Sequence, residues 1–155
     1  MPVAFPSVEF FRGLQQEMKR ESERFRRLGY FDTRIGIRVS NGDERSYVLT
    51  FEVFELADVR EVASLEGEQT DFVLEGSLDA WREMLDNIRS HGKADGDHSI
   101  NTLTHFGEKI RVVYDDPDGH DKLYRFDESV QEFFDLVAKL DFDYPDSRAR
   151  SAASA

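Results

Sequence analysis

The sequence predicts a single α+β domain: a five-stranded, mostly antiparallel (mixed) sheet with helices covering one face. Two features of the pattern and one physical rule lead there. Apolar residues recur at helical spacing in three segments, behind residues suited to capping. Elsewhere apolar and polar residues alternate in short runs separated by turn signals, as in half-buried strands. Helices that each carry one apolar stripe must bury it, and a sheet is the available surface. At 155 residues the chain is long enough to enclose a proper core.

Ser7 can cap a first helix, with Glu9 at the positive end of its dipole. Val8, Phe11, Leu14, Met18, Phe25 and Leu28 form its stripe, Ser22 is the one gap, and Gly29 is the expected stop. Ile35, Ile37 and Val39 alternate with polar or small neighbours as a first strand. The turn signal Asn41-Gly42-Asp43 joins it to a second strand from Tyr47 to Phe54, in which Tyr47, Leu49, Phe51 and Val53 share a face. Glu55 to Gln69 reads either as a short helix or as an irregular return. Asp71 to Glu75 is a third strand.

Ser77 caps a second helix with Leu78, Trp81, Met84, Leu85 and Ile88 on its apolar side, and Gly92 ends it. Lys93 to Asp97 is a polar loop, and Ser99 to Phe106 is a short helix or turn. Ile110, Val112 and Tyr114 mark a fourth strand. A turn at Asp115-Asp116-Pro117-Asp118-Gly119 leads into a fifth, Lys122 to Phe126. A last helix from about Asp127 to Leu140 shows Val130, Phe133, Phe134, Val137 and Leu140 on a wide apolar face. The domain is expected over residues 1–144, with 145–155 a small, polar, disordered tail.

Composition removes several classes of function. With no cysteine there is no disulfide framework, thiolate metal site or cysteine nucleophile, and a reducing, cytoplasmic setting fits. A net charge of −12 disfavours nucleic acid as a partner, since phosphate backbones need compensating Lys and Arg. The same charge opposes anionic membrane surfaces. No apolar run reaches the length of a membrane span, and Met1 to Pro6 shows no secretory leader, so no stable membrane insertion is expected. The unusual number is 13 Phe beside 5 Tyr and 1 Trp. Such rings either fill an ordinary core or line a cavity for a flat apolar guest.

Catalytic patterns are weak. No phosphate-cradling glycine loop occurs. Glu75-Gly76-Ser77-Leu78-Asp79 lacks the second glycine of a nucleophile elbow, and Ser77 serves better as a cap. Set with Gly119 at position six, a calcium loop would put Tyr114 and Arg125 where carboxylates are required. His91, His98, His105 and His120 do not form a zinc motif. The carboxylates set inside apolar stretches are Glu52, on the face opposite Phe51, and Asp135, off the main helical stripe. Neither has a catalytic partner in sequence. No cofactor and no enzymatic activity are expected.

Thr70 to Ser77, a strand running directly into a helix cap, followed by Trp81, Met84, Leu85 and Ile88, resembles the sterol carrier protein type 2 family, including its small bacterial stand-alone members. Gly107 to Val112, the first helix and the strand pair Ile35 to Val39 and Tyr47 to Phe54 agree with it. Arg89 to Phe106 is longer than the usual connection, and Asp115 to Leu140 resembles only a bacterial subset. The resemblance implies a five-stranded sheet and an apolar tunnel for fatty acids, acyl thioesters or sterols. Carried over by position, its walls are Phe51, Val53, Phe72 and Leu74 on the sheet and Trp81, Met84, Leu85, Leu103 and Phe106 on the helices, with Phe133, Phe134 and Val137 closing it. Three functions remain in view: a non-enzymatic carrier of a lipid or steroid, a small enzyme with an apolar pocket such as a ketosteroid isomerase-like cone, and an interaction module whose aromatic face pairs a homodimer.

Overall fold

The computed structural model describes residues 2–41, 43–105, 109–114 and 117–144. In chain order these form β1 (Val3–Ala4), α1 (Val8–Arg20), α2 (Ser22–Leu28), β2 (Thr33–Asn41), β3 (Asp43–Glu52), β4 (Glu55–Val62), β5 (Phe72–Ser77), α3 (Leu78–His91), α4 (Ile100–His105), β6 (Ile110–Val113), α5 (Pro117–Asp135), a 3₁₀ turn (Leu136–Lys139) and β7 (Phe142–Asp143). The main sheet has the order β4-β3-β2-β5-β6. β2 and β5 run parallel, and the other neighbours are antiparallel. The sheet is therefore five-stranded and mixed, as predicted, although one of its strands is not the one expected.

The caps that start the helices are those read from sequence. Ser7 Oγ accepts from the Phe10 amide at 3.0 Å, and Ser77 Oγ accepts from the Ala80 amide at 3.1 Å. Gly29 (φ 96°) and Gly92 (φ 82°) close α2 and α3 in backbone regions that suit glycine. The predicted first helix is interrupted at Glu21 (φ −103°, ψ 30°). Between Met18 and Phe25 no apolar side chain holds that turn to the core, and Glu21 is instead ion-paired with Lys139.

Hairpin register sets the inner face of the sheet. Ile35 pairs with Leu49 and Ile37 with Tyr47 on one side, and the same two residues pair with Phe72 and Leu74 on the other. Since side chains alternate across a strand, these all point the same way. α1, α3, α4 and α5 cover this face and share one buried cluster with it.

Two strand predictions are corrected. Glu55–Val62, ambiguous in sequence, is the edge strand β4. Its register shifts between Thr50 and Phe51: Thr50 pairs with Asp58 but Phe51 with Leu56. Ala57 is the extra residue of a bulge, so Leu56 and Val59 reach the same face although three positions apart. Lys122–Phe126, expected as a strand, lies inside α5. Pro117 opens that helix, where its missing amide hydrogen costs nothing. Leu123, Val130 and Phe133 then form one buried stripe along it, which Val137 continues into the 3₁₀ turn.

Among the described residues, the link from β4 to β5 is what packs on the opposite face of the sheet. It crosses that face as a strap, with Leu65 packed on Val48 and Val73. Gly36 makes that approach possible, since a Cβ there would lie 3.1 Å from Leu65 Cδ1 and 2.8 Å from Val73 Cγ2. Arg60 holds the strap through Glu68 at 2.9 Å. The chain ends also pair: β1 lies parallel to β7, Val3 beside Phe142. The sequence reading missed both of these strands. Residues 145–155, expected as a tail, lie outside the described residues.

Candidate functional site

The layer between the sheet and its helices gathers ten of the twelve predicted wall residues. Phe51 on β3, Phe72 and Leu74 on β5, Trp81, Met84 and Leu85 on α3, and Leu103 on α4 are all buried in one cluster. Phe133 and Phe134 on α5 and Val137 in the 3₁₀ turn join them. Phe106 lies outside the described residues.

Their rings touch in sequence. Phe51 meets Phe133 at 5.0 Å between centroids, nearly perpendicular at 87°. Phe133 meets Phe134 at 5.5 Å, and Phe134 meets Trp81 at 5.7 Å. The chain extends to two residues that sequence reasoning left out, Phe31, 4.4 Å from Phe51, and Phe126, 5.3 Å from Phe31. The two pairs made by Phe133 are edge-on, which suits the ring quadrupoles, and the other three are tilted. The Trp81 indole donates to the Arg38 carbonyl at 3.2 Å, which fixes the ring beneath Gly76, where a Cβ would lie 3.3 Å from Nε1. Phe126 could have been found from its place on the stripe of α5. Phe31 carried no periodic signal, because it precedes β2.

Val53 departs from its predicted place. β3 ends at Glu52, and Val53 stands in the turn to β4, 41% exposed and with φ 61°. A β-branched residue at positive φ is strained. The neighbouring segment holds it there: the Val53 amide donates to Asp32 Oδ1 at 2.7 Å, and its carbonyl accepts from the Phe31 amide at 2.7 Å. Val53 helps to line a surface concavity of about 320 Å³ between this turn and the α1–α2 junction. Met18, buried in the core, and Phe54 supply apolar surface there, and Lys19, Ser22, Arg26, Glu52 and Glu55 supply polar groups. A second concavity of about 340 Å³ lies under the strap on the other face, beside Arg38, Val73 and Tyr114.

The acid candidates separate. Glu52 is exposed, as expected from its strand parity. Asp135 is buried at 7% exposure, contrary to its expected place off the stripe. It accepts from the Ala94 amide at 3.1 Å and from Gln131 Nε2 at 2.9 Å, while Gln131 Oε1 accepts from the Ile100 amide at 2.7 Å. Burial pushes its carboxyl above the ordinary range, against the pull of those hydrogen bonds. Its task is to dock the loop between α3 and α4, a need that sequence periodicity does not register.

Asp95 is held down to about 2 by hydrogen bonds from His98 and Asn87, which fold that same loop. Among the described residues no three His, Asp or Glu side chains converge as a metal-binding group. The side chains of His105 and His120 lie outside the described part of the chain, as do Asp115 and Asp116. Phe133 and Phe134, whose exposure an aromatic docking face would require, are each 1% exposed. Among the described residues, the chain beyond β6 is helix, 3₁₀ turn and a two-residue strand, not the long curved strands of a ketosteroid isomerase-like cone. No helix among the described residues is long and apolar enough to cross a membrane.

No protein-family profile matches the sequence, and no curated protein matches it significantly. Solved structures do match. A crystal structure of sterol carrier protein 2 aligns with a TM-score of 0.65 at 15% identity, covering 86% of this chain and 97% of that one. The solution structure of a conserved hypothetical protein from Thermus Thermophilus, described as a possible sterol carrier protein, aligns with a TM-score of 0.65 at 12% identity. That alignment covers 92% of this chain and 97% of the other. At such identities the likeness is one of fold, and the fold is that of sterol carrier protein 2.

Proposed function

We propose that this protein is a cytoplasmic, non-catalytic carrier of an apolar molecule, a fatty acid, acyl thioester, sterol or steroid, taken up between the sheet and the helices. The observation that carries the reading is the continuous chain of rings from Phe31 through Phe51, Phe133 and Phe134 to Trp81, set in a fold of the sterol carrier protein 2 type. An apolar guest gains about 25 cal/mol for each Å² it removes from water, and a carrier needs no reactive group to use that energy. The rings touch one another, so uptake parts them. The guest then replaces ring–ring contacts with ring–guest contacts of similar chemistry.

The test is native mass spectrometry of the purified protein for co-purified lipid, followed by titration of delipidated protein with a fluorescent fatty acid and a fluorescent sterol. The expected result is saturable binding of one guest per chain. Trp81→Ala should shift probe affinity by at least about fivefold, equivalent to roughly 1 kcal/mol, with Trp81→Phe as the folding control. Absence of saturable binding by any probe would defeat the proposal.

A further inference from the structure

The concavity at the β3–β4 turn is lined by charges of both signs beside apolar side chains. Lys19 on α1 and Arg26 on α2 supply the positive pair; Glu52 and Glu55, flanking the turn, supply the negative pair. Met18 and Phe54 line it as well, and Met18 belongs to the buried cluster. None of the four charged side chains takes part in an ion pair or side-chain hydrogen bond among the described residues. Their neighbours do: Arg20 pairs with Glu17 at 2.6 Å, Arg24 with Glu132 and Lys139 with Glu21. Two cations and two carboxylates thus line one concavity without pairing with each other.

At about 320 Å³ the groove has roughly ten water volumes, the size of a polar head. A singly anionic head would meet Lys19 and Arg26 favourably but would be repelled by Glu52 and Glu55. A singly cationic head would meet the reverse. A head that carries both signs satisfies both pairs, with Met18 and Phe54 beside it to meet an apolar chain.

We propose that this groove is a head-group site for an amphiphile with a zwitterionic head, its phosphate against Lys19 and Arg26 and its ammonium against Glu52 and Glu55. This rests on the carrier reading above and adds the part of the guest that stays at the surface.

The experiment titrates delipidated protein with dodecylphosphocholine, dodecyl phosphate, dodecyltrimethylammonium and dodecyl maltoside, all below micelle-forming concentrations, read by Trp81 fluorescence and calorimetry. The chain is constant and only the head varies. Dodecylphosphocholine should bind about three- to fivefold more tightly than either head of a single sign, the modest factor expected of exposed ion pairs. Lys19→Glu with Arg26→Glu should turn the preference to the cationic head, and Glu52→Lys with Glu55→Lys to the anionic one. All four residues are exposed, so these variants keep the core. Glycerophosphocholine, the head without the chain, should bind at least about a hundredfold more weakly, because apolar burial supplies most of the affinity. Equal binding of all four amphiphiles, or unchanged preference in both charge-reversal pairs, overturns the head-group site and leaves the carrier intact. Glycerophosphocholine binding as tightly as dodecylphosphocholine overturns the amphiphile assignment. Failure of every amphiphile and of the fluorescent fatty acid overturns both proposals.

Discussion

Phe133→Ala tests whether the layer between sheet and helices is packed as described. The ring is 1% exposed and stands edge-on to Phe51 at 5.0 Å and against Phe134 at 5.5 Å. Truncating a buried Phe costs about 3–5 kcal/mol, and each aromatic pair lost adds about 0.5–1.5 kcal/mol beyond its area, which places this site in the upper half of that range. Expecting about 4 kcal/mol and a urea dependence of about 2 kcal/mol per molar, the unfolding midpoint should fall by about 2 M. Phe133→Leu, which keeps most of the volume, should cost about 1–2 kcal/mol. The measurement is equilibrium urea unfolding followed by Trp81 fluorescence and circular dichroism. A loss below about 1 kcal/mol for the alanine variant would refute the reasoning, because it would mean that the ring neither fills space nor contacts its neighbours. The same titration with saturating fatty acid bears on the carrier proposal. A guest that occupies the layer should return more stability to the alanine variant than to the parent, since the vacancy is already made.

Two further outcomes follow from local geometry. Val53→Gly should raise the melting temperature by about 2–4 °C in differential scanning fluorimetry, because it removes the cost of a β-branched residue at φ 61° while both backbone hydrogen bonds of that residue remain; a lower melting temperature would show that the turn is unstrained. Burial raises the Asp135 carboxyl's pKa, so its contribution to stability is present below the unfolded carboxylate range and lost as pH rises through the folded value. Asp135→Asn keeps an acceptor for Ala94 and carries no charge, so it should melt higher than the parent at neutral pH, with the difference vanishing in acid; a gain that persists unchanged in acid would sink this account.

Much of the frame was legible in the sequence because its signals are local. Ser7, Ser77, Gly29 and Gly92 mark helix ends through bonds made within a few residues, and the alternation of Ile35, Ile37 and Val39 with Tyr47, Leu49 and Phe51 sets a hairpin register. What failed depends on partners distant in the chain. β4 hid because a bulge opposite Thr50 and Phe51 breaks the period of two. Residues 122–126 looked extended because Tyr124-Arg125-Phe126 alternates, yet Leu123 and Phe126 continue the spacing of Val130 and Phe133 behind a proline that starts helices. For the site, the wall residues were legible as apolar positions, since pocket lining and core share one chemistry. The groove was not: Lys19 and Glu55 meet only because the α1–α2 junction and the β3–β4 turn are brought together by the fold.

The pairing of the two chain ends has a mechanical consequence. β1 and β7 run parallel, joined by the Val3 amide to the Asp141 carbonyl at 3.0 Å and the Phe5 amide to the Asp143 carbonyl at 2.8 Å. Tension applied through the termini would pull these strands along their length in opposite senses, so both bonds would bear the load together instead of unzipping one after the other. Phe5 and Tyr144, ring against ring at 6.1 Å, sit across the same seam. Stretched from its ends, the molecule would resist as a clasp loaded in shear, and this short ladder would have to slip before the larger sheet felt the force.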